Sequence, residues 1–64
     1  MNGNFNRGDR VKLDKINKSD IRLGLKLGDT GTVLDSHTTY PDVLFDGMPN
    51  VVVMGEWQLQ LIAK

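Results

Sequence analysis

Short runs of alternating apolar and polar residues, separated by glycine-containing turns, constrain the fold of this chain more than any other feature. In the first run, Val11 and Leu13 alternate with charged residues, and in a later one Val43 and Phe45 point the same way. A period of two is typical of strands with one buried face, and there is almost no helical period. The pattern predicts five strands, near residues 8–16, 28–35, 40–46, 51–54 and 59–62. We therefore expect an all-β domain, a small barrel or sandwich, in which closure into a barrel removes exposed edges.

Residues 17–28 form a long connection after the first strand. Its apolar residues at 21, 23, 25 and 27 alternate around Gly24, which favours an irregular loop that covers one barrel end. A one-turn helix capped by Ser19 is the competing interpretation, and in both the leucines face the core. Residues 55–58 favour a single helical turn before the last strand. Residues 1–7 are expected to be a flexible arm, which leaves 8–64 as the domain.

Four segments resemble the framework of SH3-like barrels: GDRV at residues 8–11, GDTGTV at 28–33, VLFDG at 43–47 and LQLI at 59–62. The resemblance covers nearly all of residues 8–62. It is closest to small domains of unknown function from phages and mobile elements, and KOW-type barrels are more distantly similar. It implies a five-stranded SH3-like barrel and, for the phage-type families, a small binding or inhibitory protein that acts on a host component. That functional implication is an analogy, because SH3-like folds carry many functions.

The length of the chain argues against catalysis. A domain of 64 residues buries only about 60% of the surface of its unfolded chain, too little for a deep, enclosed active site. The acidic residues are dispersed, without the context of a general acid and base. His37 is the only histidine and there is no cysteine, so we expect an exposed loop histidine, no metal site and no cofactor. The sequence therefore predicts a protein that is not an enzyme.

The location of the protein is predicted from segments that the sequence lacks. The N-terminal residues have no apolar run of the kind found in a signal peptide, and no apolar stretch approaches the roughly 20 residues of a membrane span. The lack of cysteine fits a reducing compartment. We therefore expect a cytoplasmic protein, in the host cytoplasm if it is encoded by a phage.

Charge is distributed unevenly although the formal net charge is zero. Residues 1–28 carry seven basic and three acidic side chains, a net charge of +4. Residues 29–64 carry one basic and five acidic side chains, a net charge of −4. Strands of opposite charge that neutralise one another in the fold would explain this split, and so would recognition of a charged partner.

Our leading hypothesis is a protein-binding module that docks through the long connection at residues 17–28 and the hairpin tip at residues 46–50. Large apolar residues near loops often dominate protein interfaces. The run at residues 51–54 is apolar on both faces, so a partner is expected to cover one of them. Trp57 is expected to seal one end of the core instead. The predicted partner-binding residues are Arg22, Lys26, Tyr40, Met48, Pro49 and Val52.

Two other functions fit the sequence. A KOW-like nucleic-acid or ribonucleoprotein binder would use basic residues near the first strand and the long connection, although zero net charge disfavours it. Those residues are Arg10, Lys12, Lys15 and Lys18, together with Arg22 and Lys26. A small-ligand binder would need a homo-oligomer, because one subunit is too small to enclose a pocket.

Overall fold

The computed structural model describes residues 4–36 and 39–63. Within these residues it contains five strands, one short α-helix and one 3-10 turn. In chain order they are β1 (Arg10–Leu13), α1 (Lys18–Arg22), β2 (Thr30–Asp35), β3 (Asp42–Phe45), β4 (Val52–Val53), the 3-10 turn η1 (Glu56–Gln58) and β5 (Leu59–Ala63). Over the same ranges, neither helical segment is long and apolar enough to cross a membrane. The loop predicted around His37 lies outside the described residues.

All five strands belong to one antiparallel sheet in the order β4-β3-β2-β1-β5. The prediction of a five-stranded all-β domain is confirmed, and so is the helical turn before the last strand. In the described part of the chain, β4 and β5 are the two edges of the sheet and do not pair with each other, so the sheet is open. Closure of this sheet into a barrel stays a prediction.

The same type of turn leads into both β1 and β2. Each turn contains a Gly-Asp pair, and the glycines, Gly8 and Gly28, have φ of 94° and 90°, a conformation that residues with a Cβ rarely adopt. In each turn the aspartate N–H donates to the carbonyl three residues earlier, and the aspartate carboxylate accepts from the N–H of that earlier residue. The two Gly-Asp motifs therefore specify one local structure twice.

These two turns are also equivalent in the sheet. The Gly8 N–H donates to the Val33 carbonyl, and the Gly28 N–H donates to the Leu13 carbonyl, both at 2.8 Å. Since β1 and β2 are antiparallel, with Val11 opposite Gly31, an approximate two-fold axis relates the two turn-and-strand units. Each turn thereby fixes the register of the partner strand.

The core lies on one face of the sheet and follows the predicted alternation. Inward residues of β1, β2 and β3 are almost completely buried, and their neighbours are partly exposed. Phe5 is also buried, although residues 1–7 were expected to form a flexible arm. The N-terminal segment therefore contributes one residue to the core. The buried apolar residues are Phe5, Val11, Leu13, Leu25, Val33, Val43, Phe45, Met54 and Leu59.

The connection after β1 differs from the irregular loop that we expected. Its first part is the helix α1, and the N-cap of that helix is Asn17, not Ser19. Asn17 caps because it and Asp20 form a reciprocal capping box, in which each side chain accepts from the backbone N–H of the other residue. Leu25 is buried, but Leu23 and Leu27 are 51% and 61% exposed. Gly24, between Leu23 and Leu25, has φ of 91°, which is not a strand conformation, so the expected alternation is lost and the three leucines do not share one face.

β2 and β3 approach each other closely at Gly31, which is opposite Phe45. A Cβ atom on Gly31 would lie 2.8 Å from the carbonyl oxygen of Leu44 and 2.9 Å from the Cα atom of Phe45. Both are backbone atoms of the neighbouring strand, which cannot move away without disturbing the sheet. The glycine is therefore required by the packing of the two strands.

Gly31→Ala should reduce the free energy of unfolding by about 1–3 kcal/mol, the usual cost of overpacking. Urea titration followed by circular dichroism measures it. Gly55→Ala is the matched control, because the φ of Gly55 is −74° and the atoms nearest to an added Cβ belong to the exposed ring of Trp57, a side chain that can turn away into solvent. An equal loss of stability in the two variants would contradict the role assigned to Gly31.

Candidate interaction surface

A buried polar cluster anchors η1. Gln58 is 5% exposed, and its Nε2 donates to Oδ2 of Asp20 at 2.7 Å and to the carbonyl of Lys15 at 3.2 Å. Its Oε1 accepts from the N–H of Gly55 at 3.2 Å. The Gln58 carbonyl accepts from the N–H groups of Asp14 and Lys15. One glutamine therefore ties η1 both to α1 and to the segment between β1 and α1.

Asp20 is the other centre of this cluster and is also 5% exposed. Besides the Gln58 amide, its Oδ2 accepts from the N–H of Asn17 at 3.1 Å. A carboxylate is costly to bury unless its oxygens are hydrogen-bonded. Across the described residues, no buried side-chain nitrogen or oxygen lacks a hydrogen-bond partner. The hydrogen bonds of Asp20 therefore serve to dock α1 against η1.

Gln58→Ala should lower the free energy of unfolding by about 2 kcal/mol or more, because it leaves a buried carboxylate without one of its donors. The matched control is Gln60→Ala, since Gln60 is the same residue type, two positions later and exposed. That control should change stability by no more than about 0.5 kcal/mol. Chemical unfolding of both variants tests this, and similar losses would mean that the cluster does not anchor η1.

An exposed aromatic pair lies on the outer side of η1. The ring centroids of Tyr40 and Trp57 are 5.5 Å apart and their planes are 87° apart, an edge-to-face arrangement. The two side chains are 54% and 59% exposed. The prediction that Trp57 seals the core is therefore wrong. Gln58 occupies the inward position of η1, and its neighbour Trp57 points away from the core.

Gly55 and two backbone hydrogen bonds position this pair. A Cβ atom on Gly55 would overlap three carbons of the indole ring, so the ring of Trp57 lies directly against the glycine. The Met54 N–H donates to the Pro41 carbonyl, and the Glu56 N–H donates to the Thr39 carbonyl, each at 3.0 Å. These bonds hold residues 54–56 beside residues 39–41. Tyr40 and Trp57 meet as a result.

Of the three predicted residues on β4 and the hairpin tip, Val52 and Met48 lie differently from expectation and Pro49 is exposed as expected. Val52 is half-buried and packs against the core, and its neighbours Val51 and Val53 are 45% and 62% exposed. The outward residues of this strand are therefore Val51 and Val53, because successive side chains of a strand alternate between faces. At the tip, Met48 also packs against the core and Pro49 is exposed.

Residues 15–28, which include the long connection and the segment before it, present only positive charge to solvent, and the exposed Asp14 directly precedes them. The one acidic side chain in this range, Asp20, is buried. The exposed cations are Lys15, Lys18, Arg22 and Lys26. Exposed aliphatic residues lie among them, namely Ile21, Leu23 and Leu27, each more than half exposed. On α1, the spacing of three and four residues places Lys18, Ile21 and Arg22 on one face.

Arg10, a residue of the nucleic-acid alternative, is engaged in an ion pair. Its guanidinium makes two hydrogen bonds to the Asp46 carboxylate, at 2.9 and 2.6 Å, and one to Oγ1 of Thr32. Oγ1 of Thr30 donates to the same carboxylate at 2.7 Å. Hydrogen bonds from Arg10 and Thr30 hold the pKa of Asp46 well below its usual range. The ion pair links β1 to the hairpin tip. Lys12, another residue of the nucleic-acid alternative, is half-buried.

The stability difference between the wild type and Asp46→Asn should depend on pH. Because the pKa of Asp46 is lowered in the folded state, its contribution is complete above the unfolded-state value of about 3.9 and decreases as the pH falls below it. Thermal unfolding of both proteins from pH 7 to pH 2 measures the difference. A difference that stays constant down to the lowest pH would show that the ion pair does not stabilise the fold.

Two groups of exposed side chains lie on elements that the Gln58–Asp20 hydrogen bond joins. Lys18, Ile21 and Arg22 are on the face of α1 opposite the buried Asp20, and Tyr40 and Trp57 are on the outer side of η1. We call these five residues the η1 surface. Arg22 and Tyr40 were predicted from the sequence as partner-binding residues, and Lys18 belonged to the nucleic-acid alternative. Trp57 and Ile21 were missed. The helical spacing of Ile21 from Lys18 and Arg22 was the signal that could have identified it.

Comparisons of the chain with protein-family models, curated proteins and solved structures give no match. Over residues 4–36 and 39–63, no three histidine, cysteine, aspartate or glutamate side chains are grouped so that they could hold a metal ion. The features of the chain that bear on function are therefore the η1 surface and the distribution of charge on the domain.

Proposed function

We propose that this protein is a non-enzymatic protein-binding module that docks a partner on its η1 surface. The observation that carries the proposal is the Tyr40–Trp57 pair, in which two large aromatic rings are more than half exposed and packed edge-to-face. Tyrosine and tryptophan are enriched among the residues that dominate binding energy at interfaces. Each has an apolar ring and a polar O–H or N–H group, which suits it to a surface that faces water in the free protein and is buried in the complex.

The pair is held in place before a partner arrives. Trp57 lies against Gly55 and contacts Tyr40, and the backbone on both sides is hydrogen-bonded. The edge-to-face pair is therefore already assembled in the free protein, which favours affinity. The hydrogen bond from Gln58 to Asp20 supports the same turn from below.

The charged face of α1 supplies orientation. Lys18 and Arg22 flank Ile21 on one helix face, and they belong to the half of the chain that carries a net charge of +4. Positive charge on the helix that is docked to η1 would steer a partner with an acidic region. The exposed aliphatic residues of the long connection favour a protein partner over a phosphate backbone, which gives them nothing to bury against.

The proposed fold and context are those of a small SH3-like barrel, encoded by a phage or mobile element, that modulates or inhibits a host protein in the cytoplasm. Three features support the fold: the strand order β4-β3-β2-β1-β5, the long connection between β1 and β2, and the 3-10 turn before β5. The biological context comes from the sequence resemblance, and the surface chemistry agrees with a protein whose role is binding.

Trp57→Ala should abolish partner capture without unfolding the domain. Tagged wild-type protein is expected to retain one stoichiometric protein from an extract of the source cells, at high salt and after nuclease treatment. Gly55→Ala should weaken capture as well, because its added Cβ displaces the indole ring. Trp57 is the only tryptophan, so its fluorescence reports that displacement directly. The control variant is Ile62→Ala on β5, 46% exposed and outside the η1 surface.

Two results would overturn the proposal. Capture by Trp57→Ala equal to that of the wild type would remove the η1 surface from the interaction. Recovery of nucleic acid and its associated proteins only, lost on nuclease treatment, would instead favour the nucleic-acid alternative. The observation in favour of that alternative is the set of exposed cations on the long connection, Lys15, Lys18, Arg22 and Lys26.

A further inference from the structure

The open edge of β4 has a defined hydrogen-bonding pattern. Val53 lies opposite Asp42, and Val52 lies opposite Val43. The next pair along, Met54 and Pro41, is joined by a hydrogen bond from the Met54 N–H to the Pro41 carbonyl. Hydrogen-bonded and non-hydrogen-bonded pairs alternate along an antiparallel ladder. The N–H and C=O groups of Val53 therefore point away from β3, towards the open edge.

Val52 is a hydrogen-bonded position by the same alternation, and Val51, the residue before it, is not. The N–H and C=O groups of Val51 therefore also point towards the open edge. The side chains of Val51 and Val53 are on the outer face of the sheet and are 45% and 62% exposed. An edge strand with free backbone groups and exposed apolar side chains is a template for another strand. Natural monomeric proteins usually protect such an edge with a charged residue, and residues 50–55 contain none.

The sequence of this edge can pair with a second copy of itself. If an antiparallel copy is related by a two-fold axis at Val52, Val51 of each chain lies opposite Val53 of the other. Self-pairing brings identical residues together, so a charged edge would repel its own copy. This edge carries three valines in a row and no charge, and β-branched residues form favourable cross-strand pairs.

We propose that two copies of this chain associate through antiparallel pairing of β4 with β4 about a two-fold axis at Val52. The outward N–H and C=O groups of Val51 and Val53 form four hydrogen bonds between the chains. Val52, whose own backbone groups are directed to β3, faces its counterpart as a non-hydrogen-bonded pair. The two five-stranded sheets become one continuous sheet across the dimer.

The smallness of the domain and its charge favour a second copy as the occupant. A chain of 64 residues buries a small core, and domains near this size often gain stability by association. The zero net charge removes the long-range repulsion that keeps many identical chains apart. The interface leaves α1 and the exposed cations of the η1 surface outside the paired strands. The aromatic pair lies beside the end of β4, but the inference is tested by mass and not by partner capture, so its failure is distinguishable from failure of the proposed function.

Sedimentation equilibrium of the purified protein, over concentrations up to about 1 mM, tests the proposal. The wild type should reach twice the 7.1 kDa mass of one chain. Val53→Lys should stay monomeric over the same range, because it places a charge on the pairing edge at a position that is exposed in the folded domain. Leu27→Lys, at a residue 61% exposed on the long connection, should dimerise like the wild type. Circular dichroism establishes that both variants are folded.

Amide hydrogen exchange gives a second readout, specific to the mode of pairing. The Val51 and Val53 amides should exchange more slowly as concentration rises, whereas the amide of Leu61, which lies opposite Val11 and is directed to the open edge of β5 by the same alternation, should not change. A monomeric wild type at every concentration would overturn the proposal. So would dimerisation that Val53→Lys leaves intact, or a mass that grows beyond the dimer, which would indicate pairing of β4 with β5 of the next copy.

Discussion

The hydrogen bond between Gln58 and Asp20 holds together the two least regular parts of the molecule. It joins the 3-10 turn η1 to the helix α1, and the backbone of Asp20 also accepts from Leu25, which enters the core. Because Gln58 takes the inward position, Trp57 is left on the outside, against Gly55 and Tyr40. The buried hydrogen bond of Gln58 thus leaves the Trp57 side chain exposed and available to a partner. Breaking it would remove the side-chain link between α1 and η1.

The regular part of the fold depends on a different constraint, the close approach of backbones around β2. Gly31 allows β3 to pack without the clash that any side chain would cause, and the two Gly-Asp turns fix the register of β1 against β2. The centre of the sheet is therefore rigidly specified. Variation is left to the edges, and the surfaces assigned to binding and self-association lie there, on η1, α1 and β4.

Much of the architecture was predictable because alternation directly reports a buried face. Val11, Leu13, Val43 and Phe45 were placed correctly on the core side, and the five strands and the 3-10 turn were expected. The helix α1 was misjudged because the alternating apolar residues, 21, 23, 25 and 27, lie mostly after it and suggested a continuous irregular loop. The capping box formed by Asn17 and Asp20 begins the helix. Of the proposed site, Arg22 and Tyr40 were identified from residue type and loop position alone.

The amino-acid sequence by itself determined the all-β class, the strand positions, the glycine turns and the separation of charge along the chain. These follow from local chemistry, namely side-chain period, backbone freedom and ionisation. Tertiary structure decided the direction of Trp57, the inward packing of Val52 and the meeting of Tyr40 with the turn at residues 56–58. Those outcomes depend on contacts between residues far apart in the chain. Gln58 and not Trp57 takes the inward position because its side chain hydrogen-bonds to Asp20, a residue 38 positions earlier in the chain.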